Sequence, residues 1–261
     1  MLKSAFEQYT SGYDAADPKI RLKIDHSLRV ADLSRQIAEI VTDAGAKAGT
    51  GADAKAGHGV DPDFAWTIGL LHDIGRFEQV RVYHTFVDAE SVDHAQLGAD
   101  LLFHEGLLEE LGCTLTDRQR HLMETAIRHH SAYRIPEGLS EEERAYCDVL
   151  RDADKIDIFR VLCDTPAEEI YNVTTEELKN AAVTDAVKDC FLAHTAVLRD
   201  KRRTPIDKIV GHICLTFELV YPESRKIARE QGYVDQLLSF QSDNEETAAW
   251  FEYMREHIWE Q

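Results

Sequence analysis

The chain has 261 residues, of which 44% are hydrophobic, and this suits one large folded domain or a main domain with a smaller helical appendage. Acidic side chains outnumber basic ones by 48 to 29, which gives a formal net charge of -19 at pH 7. A surface this acidic repels polyanions, so it argues against duplex nucleic acid and anionic membranes as partners. A small phosphate compound is still allowed, because a bound metal would dominate the local field.

The cysteines and the N-terminus predict a cytoplasmic protein. The first ten residues, MLKSAFEQYT, lack the apolar core of a signal peptide, and no apolar run approaches the roughly 20 residues that span a bilayer. Five cysteines, an odd number without paired spacing, predict buried thiols in a reducing compartment and not a disulfide frame or a zinc ribbon.

Helix signals recur through the chain, and no stretch shows the two-residue alternation between turns that indicates a strand. We therefore predict an all-α fold. The predicted helices lie near residues 2–12, 18–44, 62–74, 92–106, 117–130, 140–163, 175–199, 205–221, 223–240 and 244–259. Helix starts are marked by Asp61-Pro62 and by capping-box patterns that begin at Thr116, Ser140, Thr174 and Thr204.

Two segments are predicted as loops. Residues 45–59 are rich in Ala and Gly, which favours an exposed, flexible connection between two helices. Residues 76–93 follow Gly75 directly and carry several charged and aromatic side chains. A long ordered loop beside a site often closes over a substrate, and an ordinary surface connection is the alternative.

Side chains that bind metals recur along the predicted helices, each on or beside an apolar stripe. An unpaired polar group is costly there, and a divalent metal is the partner that would compensate it. One such histidine alone is more often a hydrogen-bonded core residue, but five separate segments with the same feature favour a shared metal site. The series comprises His26, His72, Asp73, His94, His129, His130 and Asp154.

The run Leu70 to Gly75, LLHDIG, carries a recognisable pattern. With His26 upstream and Asp154 downstream, it resembles the H…HD…D pattern of the HD-domain superfamily of metal-dependent phosphohydrolases. The resemblance implies an HD-domain helical bundle with additional C-terminal helices. We expect a single HD-type domain over 1–261, with a motif core at about 18–165 and a helical extension at about 166–261.

The other histidines are similar to those of the HD-GYP phosphodiesterases, which cleave cyclic dinucleotides and hold a second metal. The similarity lies at His94 and at the pair His129-His130. The chain departs from that family at Arg76, where a Lys is usual, and at 131–138, where the Gly-Tyr-Pro signature is absent. Both departures argue against a cyclic dinucleotide as substrate, whereas every implied metal ligand is retained.

The resemblance implies one or two divalent metal ions. The first would be held by His26, His72, Asp73 and Asp154, and the second by His94, His129 and His130, with Asp73 bridging the two. Nitrogen and oxygen ligands without a thiolate suit iron, manganese, cobalt, nickel or zinc and allow magnesium. Among these metals, the similarity to the HD-GYP phosphodiesterases favours iron or manganese. A metal-activated hydroxide would then attack the phosphoester.

Three residues are assigned catalytic roles. Asp73 bridges the metals. Arg76 would clamp a phosphate with its guanidinium, and its alternative is a surface salt bridge with Glu78 or a neighbour. Lys155 follows a ligand directly and would donate to phosphate or to a nearby carboxylate.

These features predict a metal-dependent phosphohydrolase that acts on a nucleotide or another small phosphate mono- or diester. An HD-type diiron oxygenase would use the same ligands and is one alternative. A regulatory domain that senses a nucleotide through its metal is another. The aromatic residues of the C-terminal tail, from Trp250 to Trp259, follow helical spacing and indicate internal packing or a homodimer contact.

Overall fold

A computed structural model describes the backbone of residues 1–48 and 59–260 and the side chains of 1–43 and 59–260. All regular elements in these ranges are helices, and no strand occurs among them, which confirms the all-α prediction. Of the loop predicted at 45–59, residues 45–48 are helical instead, because α2 continues to Ala48, and residues 49–58 lie outside the described residues. The described chain forms two compact units, Met1–Asp154 and Lys155–Gln261. The single HD-type domain expected from the sequence stays a prediction.

The first unit carries the candidate metal ligands on its helices and on the turn between α3 and α4. They are α1 (Leu2–Thr10), α2 (Pro18–Ala48), α3 (Pro62–Leu71), α4 (Gly75–Tyr83), α5 (His94–Phe103), α6 (Leu107–Glu110), α7 (Asp117–His129) and the greater part of α8 (Glu141–Asp164). A short 3-10 turn at Asp88–Glu90 lies between α4 and α5.

The helix starts follow the predicted capping signals. Asp61 caps α3, since its Oδ1 accepts hydrogen bonds from the backbone N–H groups of Asp63 and Phe64. Thr116 forms a reciprocal capping box with Gln119 at the start of α7. The boxes at Ser140, Thr174 and Thr204 form in the same way.

Two glycines allow the close helix contacts that bring the motifs together. Gly69 lies against α2, where an added Cβ would lie 2.8 Å from Ala31 Cα and 2.9 Å from Val30 O. Gly75 lies against α5, where an added Cβ would lie 2.6 Å from Gly98 N. Only a residue without a side chain fits at either contact. The first contact sets the end of α3 against α2, and the second sets the start of α4 against α5.

The predicted loop at 76–93 is wrong for its first half, because Gly75–Tyr83 is helical. Helix α4 buries Phe77 and Val80, which are three residues apart and form too short an apolar stripe to stand out in the sequence. The buried Gln79 amide donates hydrogen bonds to Asp88 Oδ1, Ser91 Oγ and Val92 O at 2.9–3.0 Å. The remaining loop is therefore anchored to α4 from within.

The second unit continues with short helices. They are α9 (Ala167–Tyr171), α10 (Thr175–Asn180), α11 (Asp185–Leu192), α12 (Pro205–Ile213), α13 (Pro222–Gln231), α14 (Tyr233–Leu238) and α15 (Glu245–His257), with 3-10 turns at Arg199–Lys201 and Cys214–Glu218.

The helix predicted over 175–199 is broken between α10 and α11. Thr184 is extended there, because its N–H and hydroxyl both donate to the buried Asp207 carboxylate at 2.9 and 3.0 Å. All five cysteines are free thiols, as predicted, although Cys113 and Cys163 are only partly buried.

A bilayer could not be crossed by any helix in the described part of the chain, because none combines sufficient length with sufficient apolar content.

Candidate metal centre

The carboxylate of Asp73 lies at the middle of a buried cluster of imidazoles. Helix α3 ends at Leu71, and the turn that follows carries His72 and Asp73 inward. Asp73 Oδ2 lies 3.6 Å from His26 Nε2 and 3.5 Å from His72 Nε2. Asp73 Oδ1 lies 3.4 Å from His94 Nε2 and 3.6 Å from His130 Nε2. The two oxygens of one carboxylate therefore face two different pairs of histidines.

Asp154 of α8 completes one side of this cluster. Its Oδ1 lies 3.1 Å from His26 Nε2 and 3.7 Å from His72 Nε2. We call His26, His72, Asp154 and Asp73 Oδ2 the first group. On the other side, the Nε2 atoms of His94 and His130 lie 3.1 Å apart. We call His94, His130 and Asp73 Oδ1 the second group.

The backbone and a neighbouring carboxylate orient the imidazoles. His72 Nδ1 lies 2.7 Å from Gly69 O, and His130 Nδ1 lies 2.7 Å from Ile127 O. A carbonyl oxygen can only accept a hydrogen bond, so each Nδ1 carries the proton and each Nε2 presents a lone pair to the cluster. His94 Nδ1 lies 2.8 Å from Asp88 Oδ2, which fixes that ring in the same sense.

The donor set fits a divalent metal. His72 Nε2 and Asp73 Oδ1 are buried and have no hydrogen-bond partner among the described residues. Lone pairs that face each other in a buried site are costly unless a cation lies between them. Three sets of donor atoms drawn from the two groups each lie within 4.8 Å of one another, which is close enough for one ion. Imidazole nitrogens with carboxylate oxygens suit first-row divalent metals.

The charges of the cluster suit metal binding as well. Burial alone would raise the pKa of Asp73, but Lys23 and His72 hold that pKa well below its usual value. Burial opposes ionisation of Asp154 too, and the neighbouring imidazoles of His26 and His72 hold its pKa well below the usual value. Burial lowers the pKa of His94 to about 4, so this imidazole is neutral at pH 7. Ionised carboxylates and a neutral imidazole are the forms that bind metals.

His129 is not part of the cluster, and its assignment as a ligand stays a prediction. It lies outside both groups and is partly exposed. Successive residues of a helix point about 100° apart, so only one of the adjacent histidines faces the centre. Arg151 fixes this turn, because its Nη1 donates to His129 O at 3.0 Å, His130 O at 2.9 Å and Ala132 O at 2.6 Å.

Arg76 lies at the edge of the second group. Its Nη1 donates hydrogen bonds to Gln79 Oε1 at 2.7 Å, Phe86 O at 2.8 Å and Asp88 Oδ1 at 2.9 Å. Its Nε lies 3.7 Å from Asp73 Oδ1 and is buried without a hydrogen-bond partner among the described residues. The alternative for Arg76 was a salt bridge with Glu78 or a neighbour: Glu78 pairs with Arg81, and Arg76 pairs with Asp88.

Lys155 was the third residue with a predicted catalytic role. It follows Asp154 directly and is buried. Lys155 is the first residue of the second compact unit, and its catalytic role stays a prediction.

Two residues of the site were not predicted from the sequence. Lys23 Nζ lies 2.5 Å from Asp73 Oδ2, and Asp88 binds both His94 and Arg76. The signal for Lys23 was its position one turn before His26 on the same helix face. Asp88 carried no such signal, because it lies in a single 3-10 turn, which is too short to show a periodic pattern.

The comparisons with known proteins agree with this geometry. The family model described as HD domain matches residues 24–160, which is more than half of the chain. That range contains every member of the first and second groups. No curated protein and no solved structure gives a significant match. The chain therefore belongs to the HD-domain family.

Proposed function

We propose that the protein is a metal-dependent phosphohydrolase that acts on a nucleotide or another small phosphate mono- or diester. One observation supports this proposal above the others: the two oxygens of the Asp73 carboxylate face two different pairs of buried imidazoles. In this reading the first group would hold one divalent ion, the second group would hold another, and Asp73 would bridge them. The ligand types suit first-row divalent metals, and the resemblance to the HD-GYP phosphodiesterases favours iron or manganese among them.

Bound ions would supply a nucleophile derived from water at neutral pH and would act as Lewis acids on the phosphoryl oxygens. The protein contributes the charge balance. Imidazoles are neutral ligands, so the four histidines would leave the positive charge of the ions in place. Asp73 and Asp154 are the two carboxylates that would offset it, which leaves the centre cationic and attractive to a phosphate despite the acidic surface.

Arg76 would orient the substrate. Three acceptors hold its Nη1, so the guanidinium plane is fixed before any ligand arrives. Its Nε is left on the side of Asp73 Oδ1, next to the second group. A fixed guanidinium beside the reacting phosphorus would contribute through orientation and through charge-assisted hydrogen bonds to phosphoryl oxygens.

A substrate panel tests the proposal. The chain is stripped of metal, reloaded separately with manganese, iron(II), cobalt, zinc or magnesium, and assayed for phosphate release from nucleoside mono- and diphosphates and from synthetic mono- and diesters. We expect turnover with at least one metal and a loss of about 100-fold or more in Asp73→Asn, which keeps the shape and removes the bridging charge. His104→Gln, at an exposed histidine outside both groups, serves as the matched control.

The same experiment separates hydrolysis from the other chemistries that these ligands would serve. Oxygen uptake by the iron-loaded chain without phosphate release would replace the proposal with an oxygenase. If the chain binds a nucleotide but turns it over with none of the metals, the proposal is replaced by a regulatory domain that senses the nucleotide.

A further inference from the structure

Lys23 pairs with one particular oxygen of the centre. It lies on α2, one turn before His26, and its ammonium is 2.5 Å from Asp73 Oδ2. The side chain is only 14% exposed. Within residues 1–48 and 59–260, Asp73 is the one hydrogen-bond acceptor of this ammonium, and the ring of Phe86 lies 5.5 Å from it. The lysine therefore depends on a single strong contact.

That contact uses an oxygen that the first group would offer to its metal. Asp73 Oδ2 also faces His26 Nε2 at 3.6 Å and His72 Nε2 at 3.5 Å. An ammonium and a divalent cation a few ångströms apart repel each other strongly in a buried site, where the effective dielectric constant is well below that of water. The two cations cannot share Oδ2 at contact distance, so one must leave when the other arrives.

The surroundings indicate where the displaced ammonium would go. Lys23 lies on the Oδ2 side of Asp73 and Arg76 on the Oδ1 side, and both cationic groups lie 5.5 Å from the Phe86 ring. Arg76 is held by three acceptors and cannot move without breaking them. Lys23 has a flexible four-carbon stem and one acceptor, so it can turn away from Asp73 and remain next to Phe86.

We propose that Lys23 and the metal of the first group exchange at Asp73 Oδ2, and that the released ammonium then binds an anionic oxygen of the substrate. This inference rests on the proposed function and assigns a substrate-binding residue to it. Lys23 and Arg76 would then contact the phosphate from opposite sides of Asp73. The exchange has a distinctive consequence: loss of the lysine charge strengthens metal binding and weakens phosphate binding. A purely structural role would not shift the two affinities in opposite directions.

The first test compares Lys23→Met with wild type and with Lys19→Met. Lys19 lies one turn earlier on α2 and is exposed, and its replacement by Met removes the same charge. Manganese affinity is measured on the metal-stripped chain, and the affinity for inorganic phosphate is measured on the manganese-loaded chain. We expect Lys23→Met to bind manganese about fivefold more tightly or better and phosphate about fivefold more weakly or worse. Lys19→Met should stay within about twofold of wild type in both.

The second test needs no variant, so it is decisive even if Lys23→Met fails to fold. Wild-type chain is labelled briefly with acetic anhydride, and the modified lysines are quantified by mass spectrometry. Manganese should raise the labelling of Lys23 about threefold or more, because the amine loses its carboxylate partner, and added phosphate should reverse the gain. Lys19 provides the internal control.

The outcomes are distinguishable. Unchanged manganese affinity in Lys23→Met, or Lys23 labelling that does not respond to manganese, overturns the exchange. Tighter manganese binding with unchanged phosphate affinity overturns the assignment of Lys23 to the substrate. A wild-type chain that binds none of the five metals of the substrate panel would instead defeat the proposed function on which the inference rests.

Discussion

Substitution of Gly75 by alanine would separate the two groups of ligands. The added Cβ would lie 2.6 Å from Gly98 N and 2.9 Å from Gly98 Cα, and closer still to His94 O. Ordinary contacts begin at 3.4 Å, so α5 would have to move away from α4 by at least about 0.8 Å. All three atoms belong to backbone, so no side-chain rotation relieves the clash. Helix α5 would carry His94 away from Asp73.

A shift of this size exceeds what a metal site tolerates. Ligand distances in such sites are held within about 0.2 Å, so the second group would lose its ion. The first group would keep its ion, because the clash falls on α5, and His26, His72 and Asp154 lie outside that helix. Overpacking of this kind costs about 1–3 kcal/mol of stability, which a folded domain survives.

The corresponding substitution of Gly69 by alanine would affect the first group. In Gly69→Ala the added Cβ would lie 2.8 Å from Ala31 Cα and 2.9 Å from Val30 O, at the contact between α2 and α3. Separation of these helices would move His26 away from His72 and leave the second group intact. Gly98→Ala is the milder control, because its Cβ would lie 3.1 Å from Gly75 N and 3.4 Å from Ile74 Cγ2.

The assay counts metal ions per folded chain by plasma mass spectrometry after loading and dialysis, with circular dichroism to verify folding. We expect two ions in wild type and in Gly98→Ala, and one ion in Gly75→Ala and in Gly69→Ala. A folded Gly75→Ala chain that retains two tightly bound ions would refute the reasoning. Loss of both ions from a folded chain would show that the two groups are not separable.

Three further predictions concern positions around and beyond the centre. Asp88→Asn removes the carboxylate that orients His94, and titration should show metal affinity at the second group weaker by about 10- to 100-fold; an unchanged affinity would contradict the orienting role. Asp207→Ala leaves the N–H and hydroxyl of Thr184 without their acceptor, and urea denaturation should show a loss of about 2–4 kcal/mol, whereas a loss below about 0.5 kcal/mol would contradict it. Burial lowers the pKa of His212 to about 3, below its value of 6.5 in the unfolded chain, so the unfolded chain binds the extra proton between these values. The stability that His212 contributes is complete above pH 6.5 and is lost as pH falls toward 3. The unfolding free energy of His212→Gln, measured against pH, should therefore fall less steeply below pH 6.5 than that of wild type. The same slope in both chains would contradict the lowered pKa of His212.

Local signals in the sequence predicted much of the fold. Capping residues act within one helical turn, so Thr116, Ser140, Thr174 and Thr204 could be identified without knowledge of the tertiary structure. Helix α4 was missed because its buried stripe consists of Phe77 and Val80 alone.

The break between α10 and α11 depends on Asp207, which is 23 residues beyond Thr184. A local pattern cannot report a contact of that kind.

The candidate site divides in the same way. Six of the seven candidate ligands suggested by the sequence lie in the cluster, because helical periodicity indicates which residues face inward. Periodicity could not choose between His129 and His130, since both follow apolar residues at helical spacing. Lys23 and Asp88 act through contacts 50 and 6 residues away in sequence. Those contacts depend on the tertiary packing of the helices and the loop, which a local sequence pattern does not predict.

Anomalous diffraction from crystals of the metal-loaded chain tests the central claim most directly. The account predicts two anomalous peaks about 3.5–4 Å apart on opposite sides of the Asp73 carboxylate. One peak should lie among His26, His72 and Asp154, and the other against His94 and His130. A density map without an anomalous peak next to Asp73, in a chain whose imidazoles keep the observed arrangement, would contradict the account.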